Sequence, residues 1–216
     1  GYCVVRGPDK LWGGDIRNFH PPAGIFEGII GGPPCQEFSI TQKMNRGKPA
    51  KWGNLIPEFE RVVSEAQPEW FIMENIKRAP IPKVDGYHVD PTLLNARWLG
   101  MKQHRVHRLS FGSKSGLKLR YDIALFESPE WAPRVMASGV AKDFQHVKGN
   151  KNMHLHGFRS NKNLRKCLVF QGLPEDYLDA APFTVEAKFG LIGNAVPLPM
   201  ARATARAVKR ATTQCV

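Results

Sequence analysis

Two short apolar runs, Phe26 to Ile30 and Trp70 to Met73, flank a stretch in which Leu55, Phe59, Val62, Val63 and Ala66 recur at helical spacing. Strand, amphipathic helix, strand is the repeating unit of a parallel sheet, because the helix carries the chain back to start a second strand beside the first. Pro68 closes the helix before the second run begins. The first run leads into Gly31 to Ser39, read as GGPPCQEFS, and the second ends at Glu74-Asn75-Ile76. Both segments therefore fall on the carboxyl rim of one sheet, where open α/β folds carry their chemistry. Two glycines admit a close approach to the backbone, and Pro33 and Pro34 fix φ, so the Cys35 thiol is presented by a stiff support. A lone Pro-Cys pair is more often a tight turn around a buried thiol. The full nine-residue string is much harder to dismiss as such a turn.

A chain of 216 residues can bury one sizeable core, with room for a small appendage. Lys and Arg number 31 against 19 Asp and Glu, and the resulting formal charge of +12 calls for a polyanionic partner. No apolar run reaches the length of a membrane span, so nucleic acid is expected rather than a membrane. Cys3, Cys35, Cys167 and Cys215 show no CxxC spacing, which argues against a metal site or disulfide framework and for a reducing, cytoplasmic setting.

GGPPCQEFS resembles the catalytic loop of the C5-cytosine methyltransferases, and that family's other blocks recur downstream in the same order. GNLIPEFERVVSEAQPEWFIMENI is similar to its helix, strand and Glu-Asn-Val block, and GNAVPLPMARA to its last block. The resemblance runs from about Asp9 to Val208. It implies an α/β fold: a Rossmann-like S-adenosylmethionine-dependent methyltransferase sheet, N-terminally truncated, with a small target-recognition region. The expected division is 1–112 for the catalytic core, 113–163 for the recognition region and 164–216 for the return segment and C-terminal helix.

By the same resemblance Cys35 adds to C6 of cytosine, Glu74 bonds the ring near N3, and Arg105 touches both base and catalytic loop. A thiolate pushes electron density toward N3 as it adds, so the partner there must be an acid. Asp15, in Gly14-Asp15-Ile16, is the candidate for the adenine amine of S-adenosylmethionine, although an Asp between strand and loop is commonly a cap or turn residue. Ile16, Gly32, Pro34, Leu55, Asn194 and Val196 complete the implied cofactor set, and Gln36, Ser39, Arg105 and Arg108 the implied DNA set. The family's Phe-x-Gly-x-Gly turn has no counterpart before Asp15; Tyr2 to Val5 resembles its second strand, with Asp9 as candidate ribose acid. Thr41 to Gly53, with Lys43, Arg46, Lys48 and Lys51, matches the segment that folds over a flipped base.

Two departures stand out. Gln103-His104-Arg105 opens the family's Gln-x-Arg-x-Arg block, but its second arginine is replaced by His107, with Arg108 following. Lys166 stands where Glu is usual. Arg108 to Gly112 reads as a strand, Gly193-Asn194 as a turn, and Leu198 to Ala211 as a helix with Pro199 in its first turn. The expected activity is DNA (cytosine-5-)-methylation of duplex DNA by a monomer in a bacterial or phage-infected cell, with an N-terminal segment or a second chain supplying the glycine turn. Two rivals stay open: a catalytically silent DNA-binding remnant, and a tRNA cytosine-5 methyltransferase.

Overall fold

The computed structural model describes residues 14–38, 52–124, 126–130, 132, 134–136, 139–140 and 160–213. Tyr2 to Val5, Asp9, Ser39, most of the basic 41–53 segment and 141–159 of the expected recognition region lie outside the described residues. The chain divides into two compact units, Gly1–Leu93 with His107–Leu119, and Leu94–Val106 with Arg120–Val216.

The first unit is built on a sheet with strand order β1-β2-β4-β3: β1 Gly28–Gly31, β2 Trp70–Asn75, β3 His88–Asn95 and β4 Val106–Ser113. β1 and β2 are parallel with Gly31 opposite Met73, and β2 and β4 are antiparallel with Glu74 opposite Leu109. The strand expected at Phe26 to Ile30 starts two residues later. A turn with Gly24 at φ +74° occupies the approach, and Gly24 N–H donates to Ala66 O at 2.9 Å.

The crossover helix α1, Ile56–Ala66, begins where Asn54 Oδ1 accepts the Ile56 N–H at 3.0 Å and ends at Gln67 in the left-handed region, φ 50°. Its buried face, Ile56, Phe59, Val63, packs with Phe71 and Met73 of β2 and with Ala79 and Val84. Phe59 and Phe71 meet edge to face with centroids 5.8 Å apart. Burying one such ring is worth about 1.5–3 kcal/mol, so this face holds the crossover in place. Gly31 is a packing requirement: a Cβ there would sit 2.6 Å from the Phe59 ring. On the opposite face of β2, Trp70 and Ile72 are buried beside Phe111 and Leu109 of β4.

In the second unit, α2 Asn161–Phe170 and α3 Val185–Asn194 are capped by Ser160 and Thr184, whose hydroxyls accept N–H groups three residues on. They pack with Val135 of the hairpin β5 Val135–Met136 and β6 Gly139–Val140, around Leu164, Cys167, Leu168, Phe189 and Ile192. The long helix α4, Leu198–Thr213, buries Met200, Ala203, Thr204, Ala207 and Val208. Gly193-Asn194, read from sequence as a turn before that helix, instead closes α3; the link is the short stretch from Ala195 to Pro197.

Two buried polar groups organise this unit. Arg97 is only 4% exposed: its Nε donates to Glu127 Oε2 at 2.8 Å, and its other nitrogens reach the carbonyls of Glu130, Ser128 and Lys102. Gln103 donates to Phe170 O at 2.6 Å and to Gln171 Oε1 at 3.0 Å, while Gln171 donates to Ile192 O. No described helix is long and apolar enough to cross a membrane.

Candidate active site

β1 and β2 end side by side, and the next residue after β1, Gly32, lies against Glu74: a Cβ on Gly32 would be 3.3 Å from Glu74 Oε2. Only a glycine leaves that carboxylate its position without pressure. The loop is then tied down by Asn75, whose Nδ2 donates to Pro33 O at 3.1 Å while its Oδ1 accepts the Ile76 N–H at 2.9 Å. Cys35, half-buried and reduced, opens a 3-10 turn over Gln36–Phe38, closed by Phe38 N–H to Cys35 O at 3.1 Å. Gly32 and Gln36 are exposed, and Pro34 is half-buried. The strand ends thus bring thiol loop and acid to one rim.

His107 joins this rim from β4. In an antiparallel pair the residues that share a face include diagonal neighbours, and Glu74 opposite Leu109 puts His107 on Glu74's face. The His107 Nδ1 meets Glu74 Oε1, with the imidazole 8% and the carboxylate 18% exposed. Glu74 therefore addresses two neighbours, His107 with one oxygen and Gly32 with the other. The sequence marked His107 only as a departure; the signal was an ionisable residue facing an expected acid.

Arg108 does not share this face. It opposes Asn75, on the side where α1 packs, and its Nε and Nη2 are buried without a partner among the described residues. Burial pushes its guanidinium below the ordinary arginine value. Arg105 lies in the second unit, where its guanidinium donates to the carbonyls of Val135, Gly193 and Ala195. The last two bracket Asn194, so Arg105 fixes the backbone on both sides of that side chain. Val196 is half-buried, one residue further on.

Three of the expected cofactor residues of the first unit, Asp15, Ile16 and Leu55, lie on a turn and a helix cap tied to α1. Asp15 caps a 3-10 turn, Ile16–Asn18, by accepting the Arg17 N–H at 3.0 Å, and its second oxygen pairs with Arg17 Nη1 at 3.1 Å. Arg17 Nη2 donates to Trp52 O at 3.1 Å, and Arg61 of α1 donates to Ile16 O at 2.7 Å and Phe19 O at 3.1 Å. Asp15 and Ile16 are thereby held against the 52–55 segment that ends in Leu55, the N-cap of α1. Each Asp15 oxygen has a second lone pair after bonding Arg17, so the carboxylate can still accept an exocyclic amine such as that of an adenine. No group of three or more His, Cys, Asp or Glu among the described residues is arranged to hold a metal.

Residues 8–166 match the family model described as C-5 cytosine-specific DNA methylase. The type II methyltransferase M.HgiDI of Herpetosiphon aurantiacus is 36% identical over 98 residues, covering 41% of this chain and 31% of that protein. M.HgiGI of the same organism is 47% identical over 69 residues, 32% of this chain and 49% of that protein. The DNA (cytosine-5-)-methyltransferase M.ApeKI of Aeropyrum pernix is 28% identical over 176 residues, 69% of this chain and 37% of that protein. The chain thus spans less than half the length of each. A solved structure of a Spodoptera frugiperda DNMT2 mutant aligns with TM-score 0.50 at 13% identity, covering 83% of this chain and 78% of the other. A putative DNA modification methyltransferase encoded within an E. coli prophage aligns with TM-score 0.50 at 19% identity, covering 87% and 79%. These two likenesses show the fold, a mixed sheet with helices of the α/β class.

Proposed function

Because the chain belongs to the C-5 cytosine-specific DNA methylase family, we propose that it carries the catalytic centre of a DNA (cytosine-5-)-methyltransferase, with duplex DNA as partner. The supporting observation is the shared rim: the Cys35 loop and Glu74 end adjacent parallel strands, with Asn75 bonded to Pro33 and Gly32 leaving room for the carboxylate.

The target cytosine is flipped out, since the C5–C6 bond is shielded in the stack. The Cys35 thiolate adds to C6, the π pair moves into the ring, and Glu74 supplies a proton at N3 so that charge does not build there. The activated C5 is the nucleophile that would take the methyl group; loss of the C5 proton to a base and return of the N3 proton to Glu74 then reform the C5–C6 double bond and release the Cys35 thiolate. S-adenosylmethionine supplies the methyl electrophile, and Asp15, Ile16, Gly32, Pro34, Leu55, Asn194 and Val196 would hold it. Arg105 fixes the Gly193 to Ala195 backbone for that purpose and, with Gln36, Ser39 and Arg108, serves DNA binding. The 113–163 segment is the proposed recognition region.

The test is transfer of labelled methyl from S-adenosylmethionine to duplex DNA, with tRNA as the competing substrate. Label in DNA cytosine that disappears in Cys35→Ala supports the reading. Label in tRNA alone would reassign the substrate, and no transfer to either, with DNA still bound, would leave a binding remnant.

A further inference from the structure

His107 occupies the place of an arginine that the family block leads one to expect, and its imidazole is buried against the acid of the proposed reaction. An arginine is charged at every working pH and cannot give up its proton. A histidine can do both within the physiological range. Glu74 uses Oε1 for His107 and turns Oε2 to the Gly32 side, where the nucleophile loop begins. A carboxylate bridging a proton source and a substrate is a relay. We propose that His107 is a positioning residue that reloads Glu74 with the proton needed at cytosine N3, which gives ring activation in this protein a dependence on pH that an arginine in its place would not confer.

This rests on the proposed Cys35 chemistry. As the Cys35 sulfur bonds C6, N3 takes the proton on Glu74 Oε2; the carboxylate left behind accepts the Nδ1 proton of His107 at Oε1. On elimination N3 returns its proton to Glu74 and the imidazole is recharged, so no external acid is consumed. Glu74 faces the ring from β2, and the loop after β1, whose Gly32 lies against the same carboxylate, continues to Cys35 and Glu37. Along β4, Leu109 shares the His107 face and carries no charge, while Arg108 turns to the opposite face.

Release of tritium from duplex DNA containing 5-tritiated cytosine reads ring activation without methyl transfer. The full chain, His107→Arg, His107→Gln and Cys35→Ala are compared from about pH 6 to about pH 8. Dividing the wild-type rate by the His107→Arg rate at each pH cancels ionisation of Cys35, which both share. That ratio is expected to fall by about tenfold across the range, and His107→Gln to be slower by about a hundredfold at low pH with a flat ratio to His107→Arg. A ratio of wild type to His107→Arg that is constant with pH, or a His107→Gln rate equal to wild type, overturns the relay. No release by wild type at any pH, or release that survives in Cys35→Ala, instead overturns the proposed chemistry itself.

Discussion

The side-chain amide of Asn75 donates to the carbonyl of Pro33 at 3.1 Å, so the strand that carries the acid also holds the loop that carries the thiol. Proline offers no N–H of its own at that point, and the carbonyl is its one backbone handle. Asn75→Ala removes the tie without touching either reacting group. We expect a loss of roughly 1–2 kcal/mol in stability, read by urea unfolding. The methylation rate should fall by about tenfold or more, since misplacement of a reacting group by an ångström is enough for that. An unchanged rate would show that the loop is rigid without it.

Gly32→Ala tests the approach to Glu74 directly. The added methyl would lie 3.3 Å from Oε2, and the carboxylate cannot simply swing aside because Oε1 is engaged by His107. The expected result is a rate lower by about tenfold with a melting temperature close to wild type. A large fall in melting temperature would mean that the glycine serves folding instead.

The two cysteines among the described residues should differ in reactivity. Cys167 is fully buried in the second unit, and burial pushes its thiol up to about 11. It therefore stays protonated at mildly alkaline pH. Mass spectrometry after brief alkylation of the folded chain should find label on Cys35 and none on Cys167, with both labelled in denaturant.

Arg61 links the Asp15 turn to α1 through two backbone carbonyls, and it pairs with Glu58 at 2.8 Å and Glu65 at 2.7 Å. Arg61→Ala should weaken S-adenosylmethionine binding, measured by calorimetry, more than it weakens DNA binding. Equal losses would mean that the turn does not form part of the cofactor site.

The bond to Arg61, helped by His20, holds the Glu65 carboxyl below its ordinary range. A carboxyl lowered in the folded state stabilises the fold above its unfolded value, and that contribution is lost as pH falls through the folded value. Acid unfolding followed by circular dichroism should therefore begin at higher pH in Arg61→Ala. In Glu65→Gln the dependence on pH across that range should be shallower than in wild type.

The crossover from β1 to β2 was legible because its signals are local: apolar spacing in α1, two short apolar runs, and loops of fixed chemistry at their ends. The C-terminal helix was legible for the same reason. The partner of His107 was not, since Glu74 lies 33 positions away and meets it through antiparallel register, which no spacing encodes. β3 escaped notice because its outer half mixes exposed and half-buried positions, with a proline inside it. Gly193-Asn194 misled by composition: the pair has the look of a turn, but it sits in the last turn of a helix whose following carbonyl is held by Arg105.

Arg97 has a consequence for how the 126–130 stretch can change over time. That stretch has no helix or strand, and its links to the guanidinium run through the carbonyls of Ser128 and Glu130 as well as the Glu127 carboxylate. Every residue type has a carbonyl, so substitutions at 128 and 130 leave the main-chain anchors intact. The segment can accumulate sequence variation while keeping its course, and the price of that freedom falls on one position, where arginine has no substitute.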